Sequence, residues 1–164
     1  MRQLSADDVG LVAEVTHWEM QVPRLVVLDA DPMDLDSNLS TYWYNYGEPE
    51  DTGYVAMWNG ETIGAAWARI VGSRSPGHGH LTSHIPELTI AVAPDWRGQG
   101  VGTQLLSTLL KGLAEAGFSA VSLSVQKGNR AIHLYERFGF VTTRVYKDHY
   151  VMMRSLISYD DFAA

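Results

Sequence analysis

Three glycines in the segment RGQGVG are the residues whose types and spacing most clearly indicate chemistry. Gly98, Gly100 and Gly102 stand directly before a run of apolar residues that has the period of a helix. Because glycine has no Cβ, the backbone there can turn tightly and bring several N–H groups to one anion. The first turn of the following helix adds unpaired N–H groups and the positive end of a dipole. The segment therefore predicts a site for a phosphate group.

Two common phosphate-binding motifs do not fit this loop. A P-loop requires Lys and then Ser or Thr after its last glycine, and the segment contains no Lys. A dinucleotide fingerprint follows directly on a strand and has an acidic residue about twenty positions later. Here residues 93–97 separate the glycines from the strand, and the next strand ends at Val125 and Gln126 without an acid. The first motif is excluded, and the second is matched only in part.

The elements that must position this loop are predicted from hydrophobic periodicity and turn residues. The strand–helix–strand unit around the loop must cross over to a parallel neighbour, so the predicted fold is a mixed sheet flanked by helices. In the first half, the predicted elements are a short N-terminal strand, a helix capped by Ser5, an irregular connection over 23–37, a helix over 38–46, and strands over 54–59 and 61–71 joined by a hairpin at Asn59 and Gly60. A mobile loop over 72–84 leads to the second half. There the predicted elements are a strand over 87–92, a helix from Val101 that Gly117 ends, a strand over 120–125, a helix over 129–138 and two strands around Lys147 and Asp148.

Length and composition are those of a single domain, with 164 residues of which 46% are hydrophobic. A formal net charge of −7 argues against a nucleic-acid partner. It fits a cationic small molecule or a basic peptide, or ordinary solubility alone. The chain has no cysteine, no apolar run long enough to cross a membrane and no signal-peptide pattern, so we expect a cytoplasmic protein without a membrane partner.

The loop and a second segment resemble the GNAT superfamily of N-acetyltransferases, which transfer an acetyl group from acetyl-CoA to an amine. The loop signature of that family is Arg or Gln, two residues, Gly, one residue, then Gly or Ala, which Arg97, Gly100 and Gly102 fill after a strand and Pro94. The segment NRAIHLYERFGF is similar to the family's second pattern, and the two motifs together span 87–151. The matching residues of the second segment are Asn129, Ala131, Leu134, Tyr135, Gly139 and Phe140.

The resemblance implies a mixed, mostly antiparallel α/β fold, with about six to seven strands that splay at the two middle ones. It implies one domain over 1–164, in which 1–86 serves the acceptor, 87–154 binds acetyl-CoA and 155–164 forms a tail. It also implies that the enzyme moves the acetyl group to a primary amine of a small molecule or peptide, by direct attack in a ternary complex. The alternative is a catalytically silent CoA-binding or sensing domain. The family also makes a homodimer a candidate assembly.

The resemblance also implies where acetyl-CoA binds. The loop amides would hold the pyrophosphate, and pantetheine would bond along the strand before the loop, with the Val92 amide facing the thioester oxygen. Asn129 would contact the cofactor, with helix capping as the alternative. The implied cofactor-binding residues are Ile90, Ala91, Val92, Arg97, Gly98, Gln99, Gly100, Val101, Gly102, Thr103, Asn129 and Tyr135.

Glu87 and Tyr135 are the catalytic residues that the resemblance implies. An alkylammonium, with a pKa near 10.4, must lose a proton before it attacks, and Glu87 would accept that proton through water. The alternative for Glu87 is a carboxylate that only attracts a cation or pairs with Arg. Tyr135 would protonate the leaving thiolate, because a phenol pKa of about 10 lies close to a thiol pKa of about 8.5. The alternative for Tyr135 is a core aromatic residue.

Two further groups of residues have open interpretations. His78, His80 and His84 have spacings that could hold a metal ion, but they lie in a glycine-containing loop without cysteine, and we predict no metal site. Several aromatic residues of the first half either line an acceptor pocket or belong to the core. They are Trp18, Trp43, Tyr44, Trp58 and Trp67.

Overall fold

The structure is a computed structural model, and it describes residues 1–20, 40–71 and 77–157. The irregular connection predicted over 23–37 lies outside these ranges, as do 72–76 of the predicted loop and 158–164 of the predicted tail. The strands within the described ranges are β1 Arg2–Gln3, β2 Thr52–Trp58, β3 Glu61–Arg69, β4 Glu87–Val92, β5 Ala120–Gln126, β6 Val141–Val145 and β7 His149–Ser155. The helices there are α1 Val9–Met20, α2 Val101–Glu115 and α3 Ala131–Arg137, with short 3₁₀ turns at Ala6–Asp8 and Pro94–Trp96.

All seven strands belong to one sheet, in the order β1-β2-β3-β4-β5-β7-β6. Neighbouring strands are antiparallel except β4 and β5, which α2 connects in parallel. A parallel pair needs such a crossover, because a tight turn can only reverse the chain. The mixed, mostly antiparallel sheet that the sequence predicts is confirmed.

The hairpin between β2 and β3 forms at the predicted residues. Asn59 has φ of 49° and Gly60 has φ of 81°, the pair of positive angles that a two-residue hairpin loop requires. The first strand begins two residues and ends one residue earlier than predicted, at Thr52–Trp58, whereas the second begins at the predicted residue and ends two residues earlier, at Glu61–Arg69.

Helices cover both faces of the sheet. On one face, α2 buries Leu105, Leu106 and Leu109 completely, each side chain contributing about 2 kcal/mol of burial free energy. Gly117, with φ of 90°, ends the helix where the sequence predicts. On the other face, Val12 of α1 packs in a second cluster that includes the fully buried Trp67.

The N-terminal helix begins with a 3₁₀ turn rather than with an α-helix at Ser5. The Ser5 amide donates to Asp8 Oδ2 at 2.8 Å, and both terminal nitrogens of the Arg2 guanidinium donate to the same carboxylate at 2.8 and 2.9 Å. These contacts lower the pKa of Asp8 from 3.8 to about 2, with the Arg2 hydrogen bonds as the largest cause. The turn is thus fixed by a charged group that joins β1 to the start of α1.

The helix predicted over 38–46 is shorter in its described part, which is a helical turn over 40–45. Asn45 ends it with φ of 58°, a left-handed angle that stops a helix. Trp67 Nε1 donates to Tyr42 O at 2.8 Å, and the Arg69 guanidinium donates to Tyr44 O at 2.7 Å. Side chains of β3 therefore hold this turn against the sheet.

Candidate active site

A cavity of about 860 Å³ lies at the carboxyl ends of β4 and β5. It is lined by the end of β4, the glycine loop, the turn after β5 and α3. In sheets of this kind the ends of adjacent parallel strands are a common place for a ligand. The residues that the sequence assigned to cofactor binding and that do line the cavity are Ile90, Ala91, Val92, Arg97, Gly98, Gly100, Gly102, Thr103, Asn129 and Tyr135.

The cavity forms because β4 and β5 separate almost as soon as they meet. Glu87 pairs with Ser122 at the start of β4, and within the described residues no later register pair joins the two strands. The splay predicted at the middle of the sheet is confirmed.

The direction of the β4 backbone follows from its bonds to β3. Ala93 N donates to Ile63 O at 2.9 Å, and hydrogen-bonded positions alternate along an antiparallel pair. The backbone groups of Ala91 therefore bond toward β3, whereas those of Ile90 and Val92 point toward β5 and the opening. A ligand in the cavity can form hydrogen bonds with the backbone of Ile90 and Val92. Ala91 can only contact such a ligand, because its backbone groups bond to β3.

The glycine loop has the backbone conformation that its sequence predicts. Gly98 and Gly100 have φ of 74° and 86°, angles that residues with a Cβ rarely adopt. Arg97 Nε donates to Val92 O at 3.0 Å, and Gln99 Nε2 donates to Asp95 O at 2.8 Å. Arg97 thus holds the loop to the end of β4 and Gln99 holds it to the 3₁₀ turn, and Gln99 does not line the cavity.

Positive charge is concentrated around the cavity. Among the described residues, its lining includes the cationic residues Arg97, Lys127, Arg130 and Arg137 and no acidic one, although the whole chain has a formal charge of −7. Four cations that face a common space attract an anion with several charges. Of these four, Arg97 alone was predicted from the sequence, although Arg130 and Arg137 are seven positions apart, a spacing that aligns side chains on one helix face.

Tyr135 belongs both to the core and to the cavity. It is 4% exposed, meets the Phe140 ring edge-on with centroids 5.8 Å apart, and lines the cavity. Tyr135 is therefore a core aromatic residue that also borders the cavity, and its role as a proton donor stays a prediction.

Asn129 caps α3, as the alternative interpretation of this residue held. Its Oδ1 accepts the Ala131 amide at 2.9 Å, so the helix starts at Ala131 and not at residue 129 as predicted. The helix ends at Arg137, and Gly139 follows with φ of 81°. Asn129 also lines the cavity, so capping does not exclude contact with a ligand.

Glu87 lies at the far end of β4 and does not line the cavity. It is 2% exposed, and its Oε1 accepts hydrogen bonds from Tyr42 Oη at 2.7 Å and from Gly79 N at 2.8 Å. Burial raises the pKa of Glu87, and the two hydrogen bonds act in the opposite direction. At the rise of a strand, Glu87 and Val92 are about 16 Å apart, so direct contact with a group bound at Val92 is excluded.

The remaining predicted residues lie elsewhere. Val101 begins α2 and packs against the core without lining the cavity. Arg69 stands opposite Glu87 in the β3–β4 register, but its Nε bonds Asp51 Oδ1 at 3.0 Å. Within the described part of the chain, Glu87 therefore forms no ion pair with Arg69, and the predicted Arg pairing is not seen there.

The aromatic residues of the first half differ in burial, and Trp43 packs partly buried against the second core cluster. Trp67 is fully buried, whereas Tyr44 and Trp58 are each 58% exposed. Trp18 lines the cavity, and so does Trp96, whose ring centroid is 5.8 Å from that of Trp58. Trp96 was missed because its place before the glycines suggested only a loop.

The loop predicted to be mobile is attached to the sheet in its described part. His78 N donates to Tyr42 Oη and Gly79 N donates to Glu87, which sequence composition could not reveal. Among residues 1–20, 40–71 and 77–157, no group of three His, Cys, Asp or Glu side chains is placed to hold a metal ion. In the same ranges no helix has the length and apolar character to cross a membrane.

A family model described as the Acetyltransferase (GNAT) family matches residues 13–140. The match begins far before the two motifs, in a half of the chain whose sequence alone showed no family pattern. It covers more than half of the chain.

Two curated relatives and one solved structure illustrate the similarity. The chain is 30% identical to a mycothiol acetyltransferase of Streptomyces coelicolor, over 66% of this chain and 32% of that protein. It is 38% identical to a ribosomal protein bS18-alanine N-acetyltransferase of Haemophilus influenzae, over 37% of this chain and 42% of that protein. The chain thus covers less than half the length of these relatives. The yncA protein of Salmonella typhimurium, solved with its cofactor acetyl-CoA, shares the fold, with a TM-score of 0.69, 21% identity and coverage of 96% of this chain and 94% of that one.

Proposed function

Because the chain belongs to the GNAT acetyltransferase family, we propose that it transfers an acetyl group from acetyl-CoA to a primary amine of a small molecule or peptide. The attack is direct, within a ternary complex. The observation that carries the proposal is the cavity at the β4–β5 splay, which combines a glycine loop, outward-facing strand backbone and four cations. Acetyl-CoA, when bound, supplies an acetyl group on a thioester that an amine nitrogen can attack.

The residues of the cavity fit this cofactor. Positive φ at Gly98 and Gly100 supports a cradle of backbone amides for the pyrophosphate. The backbone of Ile90 and Val92 would bond pantetheine as a neighbouring strand would, and the Val92 amide would stabilise charge on the thioester oxygen. Asn129 would contact the cofactor from the start of α3.

Tyr135 is the proposed general acid. It borders the cavity from α3, and its packing against Phe140 limits its motion. Moving a proton from a phenol to a thiolate costs about 2 kcal/mol, from pKa values of about 10 and 8.5. A positioned side chain can meet that cost.

Glu87 is the proposed proton acceptor, acting through water. An ordinary carboxyl, with a pKa of about 4.3, takes a proton from an alkylammonium uphill by roughly 8 kcal/mol. The raised pKa of Glu87, which burial causes, reduces that difference. The distance along β4 requires that water carry the proton.

The acceptor is proposed only as a class. We assign it to the half formed by 1–86, with 87–154 for acetyl-CoA and 155–164 as a tail. The names of the two relatives mention mycothiol and an alanine of ribosomal protein bS18, which are acceptors of different classes, so the relatives do not select one amine. A homodimer and a cytoplasmic location stay predictions from the sequence, which sedimentation and fractionation would check.

The test of the proposal is a thermal-shift assay with CoA, followed by thiol release from acetyl-CoA with four amines. The amines are spermidine, lysine, kanamycin and a peptide with an N-terminal Ala. We expect CoA at a hundredfold excess over its Kd to raise Tm by about 5 to 10 °C. No shift at millimolar CoA would contradict the proposed cofactor site.

A catalytically silent CoA-binding domain is the second candidate. The sealed position of Glu87, outside the cavity, favours it. Steady CoA binding without thiol release on any amine would support this candidate, whereas turnover with one amine would exclude it.

A further inference from the structure

The Tyr42 hydroxyl connects the 40–45 turn, the following loop and the carboxylate of Glu87. It donates to Glu87 Oε1 at 2.7 Å and accepts the His78 amide at 2.7 Å. Gly79 N donates to the same Oε1 at 2.8 Å. Glu87 Oε2 is buried and has no hydrogen-bond partner among the described residues. Among the described residues, Oε1 therefore has two hydrogen-bond donors and Oε2 has none.

Tyr42 is held independently of Glu87. The residue is 5% exposed, and its carbonyl accepts the Trp67 indole N–H at 2.8 Å. The Arg69 guanidinium bonds the carbonyls on either side, Thr41 O at 3.3 Å and Tyr44 O at 2.7 Å. Because β3 fixes the turn, the position of the Tyr42 hydroxyl is set by the fold.

Gly77 and Gly79 have no side chains, and the Glu87 carboxylate occupies the space that such side chains would fill. A Cβ on Gly77 would overlap Glu87 Oε2. A Cβ on Gly79 would lie 2.6 Å from the carbonyl carbon of Leu123 in β5 and 3.0 Å from Glu87 Oε1. The loop can therefore pack over the carboxylate only because residues 77 and 79 have no Cβ.

Few other polar groups surround this carboxylate. Ser122, its register partner in β5, is fully buried, and its Oγ also has no partner among the described residues. The titratable or charged groups on the described elements packed around Glu87 include Tyr42, Arg69 of β3, His78 and His80 of the loop, and Glu14 and His17 of α1, which packs against β4. Among the described residues, Tyr42 is the side chain that donates a hydrogen bond to Glu87.

We propose that Tyr42 is a positioning residue that occupies Glu87 Oε1 and leaves Oε2 as the oxygen that receives the proton of the acceptor amine. This rests on the proposed function. The ammonium N–H bond breaks, and water takes its proton and passes one on to Oε2, which becomes a neutral carboxylic acid. The electron pair left on nitrogen forms the C–N bond to the acetyl carbon, the thioester C–S bond breaks, and the leaving thiolate takes the proton of Tyr135. The Tyr42 hydroxyl stays protonated and donates to Oε1 throughout.

Titration of the Glu carboxyl carbons by NMR tests the positioning without any acceptor. Protein labelled with ¹³C at the Glu carboxyls is titrated as wild type, Tyr42→Phe and Tyr46→Phe, and Glu87→Gln assigns the Glu87 signal. Tyr46 is the matched control, because it is also a buried tyrosine and its hydroxyl has no hydrogen-bond partner among the described residues. We expect Tyr42→Phe to move the Glu87 midpoint to higher pH, since a donor to the carboxylate is lost. Tyr46→Phe should leave it in place, and an unchanged midpoint in Tyr42→Phe overturns the proposal.

Kinetics with the most active amine of the panel then tests the link to catalysis. Tyr42→Phe should lower kcat at least about tenfold at pH 7 and move the acid limb of its pH profile upward, with KM for acetyl-CoA unchanged. In the Glu87→Gln background the same change should have no further effect on kcat. Additive losses would overturn the proposal. Failure of the proposed function shows itself differently, as no thermal shift with CoA or no turnover by the wild type.

Discussion

At the scale of single residues, Tyr135 makes the sharpest prediction. Tyr135→Phe removes one hydroxyl and keeps the ring that packs against Phe140. If the hydroxyl protonates the thiolate, kcat should fall by about 10² to 10⁴, while the Kd for CoA stays within a factor of two or so. Steady-state kinetics and the thermal shift with CoA measure the two quantities.

Tyr150→Phe is the control for this substitution. Tyr150 packs against the same core but does not line the cavity. It should change kcat little. Equal losses of kcat in the two variants would contradict a role of Tyr135 in proton transfer, and would indicate that loss of either hydroxyl acts only through the structure.

At the scale of elements, two glycine substitutions can separate the stability effect of a change in the glycine loop from its effect on CoA binding. Gly100 and Gly117 have nearly the same φ, 86° and 90°, and a Cβ would meet no atom within 4 Å at either. Alanine at either position should cost about 1 kcal/mol of unfolding free energy, because L residues are strained there. Only Gly100→Ala should also weaken CoA binding, by about tenfold. Calorimetric titration measures the Kd for CoA. If both variants bind CoA as tightly as the wild type, the glycine loop does not hold the pyrophosphate.

The turn before α1 predicts a dependence of stability on pH. The pKa of Asp8 is lower in the folded protein, so its contribution is present above pH 4 and is lost as the pH falls through about 2. Asp8→Asn should therefore lower the unfolding free energy by about 1 kcal/mol at pH 7, a value reduced for solvent screening. The difference from wild type should shrink between pH 4 and pH 2 in urea unfolding. Asp7→Asn, on the same turn, is the control, and a difference that does not change with pH would contradict this account.

The same elements show what a sequence can and cannot predict. Local signals sufficed for the hairpin at Asn59 and Gly60 and for the helix end at Gly117, because the chain conformation there depends on residues within a few positions. The burial of Glu87 under Gly79 depends on contacts between segments far apart in the chain, so it left no local pattern. The positive charge around the cavity was missed for the same reason. Lys127 and Arg97 are far apart in the chain and line the same cavity only in the folded protein.

At the scale of the whole molecule, the distribution of charge matters more than its sum. Arg137→Glu and Arg144→Glu give the same net charge, but only Arg137 lines the cavity, whereas Arg144 lies exposed on β6. Arg137→Glu should weaken CoA binding about tenfold or more at low salt, and the difference should narrow at high salt because ions screen it. Arg144→Glu should have little effect. Similar losses in both variants would mean that CoA responds to net charge alone.

The single residue pair between β4 and β5 has a consequence for solubility. A sheet of this size normally has unpaired strands only at its two ends, where proteins protect them from joining other chains. The divergence after Glu87 and Ser122 adds two such strands in the middle of the sheet. A ligand that bonds along β4 covers the backbone of Ile90 and Val92, so the unliganded protein is the form most exposed to aggregation by strand addition. The groups that would recognise a cofactor are thus the groups that a misfolded neighbour would use.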